Sequence, residues 1–274
     1  MKRYITALSI AGSDPSAGAG IQADLKTFSA LGVYGLTIPT VLTVQNTMGV
    51  SATYPLPPEL ITAQIDAVMC DIHPQVVKIG MTGNSLIIKA ISKALQKYNP
   101  DFILLDPIMY SSSGHQLLST DSIEILKKEI LPLCSLVTPN LYEAEILAST
   151  CKITNQEDAQ QVGNTILAFG CDAVLIKGGH LEGSPIDVLV QQGGNTNTYM
   201  GNRIETQNTH GTGCTLSSAI AAFIAQGMLL HNAVNAAKCY LTQALQAGAQ
   251  IHLGAGCGPM NHFFSPKKLL IEEK

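Results

Sequence analysis

No long run of lysine or arginine occurs in the chain, and the formal net charge is −4. Nucleic acid is therefore a poor partner, because an extended phosphate backbone needs a basic stripe to neutralise it. A small anionic substrate is not excluded, since backbone amides converging on one point outweigh a mildly acidic total. No two of the seven cysteines, Cys70, Cys134, Cys151, Cys171, Cys214, Cys239 and Cys257, stand in CxxC spacing, which removes zinc ribbons and dithiol redox motifs. Their odd number and scatter point to reduced thiols in a cytoplasmic protein, each by default a small buried hydrophobe. No GxxxxGK[ST] loop is present. The longest apolar helical run, Leu216–Leu230, holds two serines and a glutamine and is too short to cross a membrane. Tryptophan is absent and charged residues are only 13%, against 46% apolar, so most of the chain is expected to pack rather than stay disordered.

What is present is alternation. Short β-rich runs at Tyr4–Ile10, Leu36–Val44, Val76–Met81, Phe102–Asp106, Leu136–Thr138, Ala173–Lys177 and Ile186–Gln191 are separated by helical patterns. The helices are expected at Ile21–Leu31, Pro58–Asp71, Ser85–Tyr98, Thr120–Ile130, Asn140–Leu147, Gln156–Phe169, Thr212–Gln226 and His231–Gly248. Near-continuous apolar strands between helices predict a doubly wound α/β sheet covered on both faces. Thr47–Leu56 is read as a small hairpin near the sheet edge, and Gln192–Glu205 as a turn between late antiparallel strands. The start, Lys2-Arg3 and then Ile5–Ala11, imitates a secretory signal, but about seven apolar residues followed by Asp14-Pro15 suit a first buried strand better. No repeat or linker divides the chain, so one domain over residues 1–274 is expected.

In such sheets ligands bind beyond the carboxyl ends of the strands. That rule gathers Gly12–Gly20, Gln45, Met81, Asp106–Tyr110, Pro139–Glu143 and Lys177–His180 on one rim. The strongest local signal is Asn208-Thr209-His210-Gly211-Thr212-Gly213-Cys214-Thr215, which leads into an apolar helix. Its glycines and the unpaired amides of the helix start make an anion hole suited to a phosphoryl group in flight, or else an ordinary threonine-capped helix start. Cys214, at that helix start, is expected to have a lowered pKa and to serve as a thiolate base; the plain alternative is a small buried residue. After the first strand, Gly12 to Gly20 fails the dinucleotide pattern, because Ala23 stands three after Gly20 and the second strand ends in Gln45-Asn46 rather than an acid. A loop lying close to a small substrate fits better. Asp24 offers a carboxylate to a ring substituent or merely complements the helix dipole, and Gln45 offers a donor–acceptor edge or is simply solvated. Asn140 and Glu143, with Asp106, suit Mg²⁺ held largely through waters, alongside a capped helix. Lys177, in Lys177-Gly178-Gly179-His180, suits phosphate charge or is a solvated strand-end lysine.

These motifs, in this order, resemble the ribokinase-like superfamily. The stretches AGSDPSAGAGIQADLKTFSALG, QNTMGV, KIGM, LLDPIM, VTPNLYEAEIL, VLIKGGH, NTHGTGCTLSSAIAA and GCGPMNHFF are more closely similar to the hydroxymethylpyrimidine/phosphomethylpyrimidine kinases of thiamine biosynthesis. Many ribokinase relatives carry aspartate where this chain has Cys214. The resemblance implies a three-layer α/β/α sandwich with a mostly parallel sheet, ATP with Mg²⁺, and a homodimer. It implies that Gly12, Asp24, Gln45, Met81 and Ile108 line the pyrimidine site. It further implies that Asp106, Asn140 and Glu143 serve metal and phosphates, that Lys177 and Thr212 lie at the phosphates, and that His210 lies near the transferred group. Gly211, Thr212 and Gly213 would form the anion hole and Cys214 the base. Competing expectations are a pyridoxal or pyridoxine kinase, a catalytically silent ligand-binding module, and a nucleotide-dependent oxidoreductase, which the failed glycine pattern disfavours.

Overall fold

The computed structural model describes residues 2–111, 114–150, 152–179 and 185–273. His180 and Cys151 lie outside the described residues. A nine-stranded sheet forms the middle layer. Its strands are β2 (Thr6–Ser13), β3 (Tyr34–Asn46), β4 (Gly49–Pro55), β5 (Val76–Ile79), β6 (Phe102–Leu105), β7 (Leu136–Val137), β8 (Ala173–Ile176), β9 (Ile186–Gln191) and β10 (Thr196–Met200). The spatial order is β10-β9-β8-β7-β6-β5-β2-β3-β4. From β3 to β8 the pairing is parallel, and β4, β9 and β10 add antiparallel edges. Two short strands, β1 (Lys2–Tyr4) and β11 (Ile271–Glu273), pair separately.

Among the described residues eight α-helices cover the sheet: α1 (Gly20–Ala30), α2 (Pro58–Asp71), α3 (Ser85–Tyr98), α4 (Thr120–Glu129), α5 (Leu141–Ala148), α6 (Gln156–Leu167), α7 (Thr212–Ala225) and α8 (Leu230–Gly248). They divide between two cores. Ile61, Ile65, Ile87, Ile91, Leu126, Leu147 and Ile166 of α2 to α6 pack on one face. Phe28, Leu216, Ile220, Ala233 and Ala237 of α1, α7 and α8 pack on the other. The expected three-layer α/β/α sandwich with a mostly parallel sheet is what forms. Helix α3 shows how directly sequence dictates an element. Asn84 caps it by accepting from the N–H groups of Leu86 and Ile87, its apolar stripe buries Ile87, Ile88, Ile91 and Leu95, and Asn99 ends it in the left-handed region at φ 43°.

Several boundaries differ from the sequence reading. The first strand breaks at Ile5: β1 leaves for its pairing with β11, and β2 runs on to Ser13. Leu8 and Ile10 are wholly buried on β2 between β3 and β5, as befits a central strand. The expected hairpin exists, but β3 is 13 residues long, so Gln45 pairs with Val50 inside it instead of ending it. The polar segment Gln192–Glu205 is more than a turn, since it contains β10. Cys70 and Cys239 are exposed and Cys257 is half-buried, so among the described cysteines the buried-hydrophobe reading holds for Cys134, Cys171 and Cys214. No helix among the described residues is long and apolar enough to cross a membrane.

Candidate active site

Strand β2 is flanked by β3 on one side and β5 on the other, so the loops that leave β2 and β5 part at their carboxyl ends and open a crevice. Gly12 and Met81 meet there: a methyl on Gly12 would lie 2.9 Å from Met81 Sδ. Ile108, from the loop after β6, reaches the adjoining Gly80, 3.7 Å from where its β-carbon would be. Gln45 closes the side of the crevice from β3. Its amide lies 3.2 Å from His210 Nε2 and 3.1 Å from Thr43 Oγ1. Gly12, Gln45, Met81 and Ile108 thus come together as expected.

The loop between β2 and α1 is organised by a residue the motif reading passed over. The Asp14 carboxylate accepts from the N–H groups of Ser16, Gly18 and Ala19, from Ser16 Oγ and from His210 Nε2 at 2.8 Å. Burial pushes its pKa up, but His210, Ser16 and Ala19 more than offset that and hold it at about 2. His210 is consequently tied down at 6% exposure above Gly18.

Helix α7 begins beside this loop. Its cap residue Gly211 sits at φ 80°, and no side chain caps the helix start. A threonine cap does not form. Among the described residues no acceptor faces the N–H groups of Gly213 and Cys214. Lys177 and Asp106 stand beside this turn: a methyl on Gly213 would lie 3.4 Å from Lys177 Nζ and 3.8 Å from Asp106 Oδ2. Thr212 is half-buried at the same mouth. Unpaired helix-start amides beside a lysine are an arrangement that suits an anion.

Lys177 is not a solvated strand-end lysine. Its Nζ lies 2.6 Å from Asp106 Oδ1, and its backbone pairs with Pro139 and Asn140. Burial lowers its pKa, and Asp106 and Glu143 outweigh burial, so it is held as a cation. Asn140 and Glu143 form a reciprocal capping box on α5, with bonds of 2.8 and 2.9 Å. Burial and the nearby Asp106 push the Glu143 carboxyl up to about 7 despite Lys177. A direct metal cage does not fit here: Asp106 spends Oδ1 on Lys177 and Oδ2 on Ser217 Oγ, and Glu143 is spent on the cap. Among the described residues no three histidine, cysteine, aspartate or glutamate side chains cluster to hold an ion.

Two expectations are corrected. Asp24 does not reach a ring substituent. It is wholly buried, and its oxygens accept twice from Lys78 Nζ and once each from Ser9 and Ser218 Oγ. A carboxylate has about four acceptor positions, and all are taken. Lys78 itself was missed, although a lysine inside Val76-Val77-Lys78-Ile79 is a legible signal: a charge in an apolar strand must find a buried partner. Removing either partner of such a pair costs about 3–5 kcal/mol. Cys214, in turn, is not a preformed thiolate. Burial pushes its thiol up to about 11; Lys78 and the Gly20 N–H pull down, but Asp24 and Asp106 push up. The helix dipole is too weak to reverse desolvation at 6% exposure.

Comparison with known proteins follows this geometry. The model of the phosphomethylpyrimidine kinase family matches residues 14–261. The hydroxymethylpyrimidine/phosphomethylpyrimidine kinase of Salmonella typhimurium is 44% identical over 261 residues, covering 94% of this chain and 97% of that protein. The crystal structure of phosphomethylpyrimidine kinase from Clostridium difficile is 46% identical, with TM-score 0.78, covering 88% of this chain and 99% of the other. An ADP complex of Bacillus subtilis pyridoxal kinase is 32% identical, with TM-score 0.87, covering 95% and 98%.

Proposed function

The chain belongs to the phosphomethylpyrimidine kinase family, and from that premise we infer that its crevice transfers the terminal phosphoryl group of ATP to a pyrimidine alcohol. It is a hydroxymethylpyrimidine kinase and phosphomethylpyrimidine kinase, a phosphotransferase of thiamine biosynthesis with the ribokinase-like fold. The first reaction makes the monophosphate of 4-amino-5-hydroxymethyl-2-methylpyrimidine, and the second makes the diphosphate. The observation that carries the reading is the uncapped start of α7, whose amides open beside Lys177.

In this reading the ring lies over Gly12 and Met81, walled by Ile108, with Gln45 at its amino edge. The alcohol oxygen attacks the terminal phosphorus, and the bond to the bridging oxygen breaks as ADP leaves with the electron pair. The N–H groups of Gly213 and Cys214, with Gly211 shaping the mouth and Thr212 beside them, stabilise charge on the moving phosphoryl group. Lys177, held by Asp106, and the amide nitrogen of Asn140 meet the ATP phosphates. His210 holds the loop over the acceptor. The alcohol proton passes to Cys214. Because the thiol rests near 11, only about one molecule in 10⁴ carries the thiolate at pH 7, so this step draws on a minor population. Asp106 and Glu143 would hold a Mg²⁺ through waters, and the ion would supply neutralisation of phosphate charge.

Initial rates with the pyrimidine alcohol, its monophosphate and pyridoxine test the assignment. Turnover of the monophosphate is expected, and turnover of pyridoxine alone would overturn it. The pyridoxal kinase reading has one observation behind it, the higher TM-score of 0.87 against 0.78. Backbone shape is common to both, however, and the identity of 46% against 32% favours the pyrimidine.

The edge hairpin supports a homodimer. Leu42 and Val44 of β3, Tyr54 of β4 and Met48 of the turn between them stand 46–71% exposed. An exposed apolar sheet edge invites a second copy. Sedimentation at micromolar concentration checks it, and a monomer would refute it.

A further inference from the structure

As placed, Gln45 turns Nε2 towards His210 and Oε1 towards Thr43. A half-turn of the amide exchanges the two atoms at no steric cost, so the neighbours' hydrogen-bond chemistry decides between them. Both neighbours give the same answer. His210 Nε2 lies 2.8 Å from Asp14 Oδ2, an acceptor without a hydrogen, so Nε2 carries the proton. A protonated Nε2 has no lone pair for an amide N–H; its one hydrogen, directed mainly at Asp14, repels an N–H and draws an oxygen as a second, shared acceptor. On the other side, Thr43 Oγ1 spends its one hydrogen on the Ser13 carbonyl at 2.8 Å. It has only lone pairs left, which want an N–H.

The geometry points to a fixed amide polarity: Asp14, acting through His210, and Thr43 together hold Gln45 with its carbonyl towards His210 and its NH₂ towards Thr43. They are positioning residues for ring specificity. The amide's remaining lone pair and remaining N–H then present acceptor and donor side by side. That edge complements a ring carrying an amino group next to an unprotonated nitrogen. It opposes the 4-oxo analogue, which offers a carbonyl beside an N–H. The reverse polarity would select the oxo ring. This inference rests on the crevice being the pyrimidine site, and it adds which residues outside ring contact set the choice of ring.

The test compares kcat/KM for the 4-amino pyrimidine alcohol and its 4-oxo analogue. Wild type is expected to prefer the amino ring. Asp14→Asn can present an N–H to His210 and move the imidazole proton off Nε2, which removes the preference of His210 for the carbonyl and leaves Thr43 alone to set the polarity. Thr43→Val removes the acceptor that holds the NH₂. Each variant is expected to lower the amino-to-oxo preference about tenfold or more, with KM for ATP unchanged. Asp14 also braces the Ser16–Ala19 loop, so Thr43→Val carries the test alone if Asp14→Asn does not fold. A merely structural role would lower both rings equally, and an unchanged preference in folded variants overturns the proposal. A wild-type enzyme that turns over neither ring overturns the reading of the reaction, and this proposal with it.

Discussion

Gly211 and Gly213 stand two residues apart at the mouth of α7, yet alanine at each is expected to act through opposite physics. At Gly211 the backbone lies at φ 80°, and an added methyl overlaps the Gly18 carbonyl oxygen. The left-handed backbone costs roughly 1–2 kcal/mol for alanine. Relief of the overlap requires the loop and helix to part by about 1 Å, a displacement that costs on the order of 10²-fold in rate when it moves a reacting geometry. Gly211→Ala should therefore lose both stability and kcat. At Gly213 the methyl meets Lys177 Nζ at an ordinary 3.4 Å, and the position is helical without strain. Alanine there gains up to about 1 kcal/mol of helix propensity while placing a methyl where the phosphoryl group must pass. Gly213→Ala should keep or raise Tm and still lose kcat by about 10²-fold or more, as removal of an oxyanion-hole donor does. Thermal melts and steady-state rates on both variants are the assay. Full kcat in Gly213→Ala would refute the anion hole, because nothing else in the reasoning makes that methyl harmful.

Other outcomes follow from the same site. If Cys214 ionises to accept the alcohol proton, the first phosphorylation should quicken about tenfold per pH unit between pH 7 and 9, below the thiol's value of about 11. The second step begins from an anionic phosphate and should not share that slope; a flat first-step profile would remove Cys214 as base. Cys214→Ala should accordingly slow the first step more than the second, as separate assays of each would show. Gln45→Glu replaces the donor with an acceptor. Since Thr43 and the ring nitrogen then face it unpaired, KM for the pyrimidine should rise by roughly 2 kcal/mol, about 30-fold, with KM for ATP steady. Glu143 has its pKa raised in the fold from 4.5 to about 7, so the fold binds this proton more tightly than the unfolded chain does. Its contribution is full below pH 4.5 and is lost as pH rises through 7. Glu143→Gln keeps a cap acceptor without the charge, so its Tm relative to wild type should climb across that window; a constant difference would count against the shift.

Much of the fold was legible because its causes are local. The Asn84 cap, the stripe Ile87-Ile88-Ile91-Leu95 and the stop at Asn99 each act within a few residues, so α3 could be read from Ser85 to Tyr98 directly. The rim was legible for a similar reason: in a parallel sheet every strand's carboxyl end faces one side, and that set Gly12, Gln45, Met81, Asp106 and Lys177 along one rim. What sequence could not decide is how charges spend their bonds, because that depends on neighbours distant in the chain. Asp24 looked available until Lys78, 54 residues on, and Ser218, 194 residues on, filled its lone pairs. Cys214 looked acidic from its own helix, yet desolvation is a property of the whole packed layer and outweighs a dipole. Asp14 takes its role only from tertiary contact, which sets it against His210, 196 residues away. Backbone pattern is written in near neighbours, whereas protonation and hydrogen-bond polarity are settled only when the layers close and water leaves.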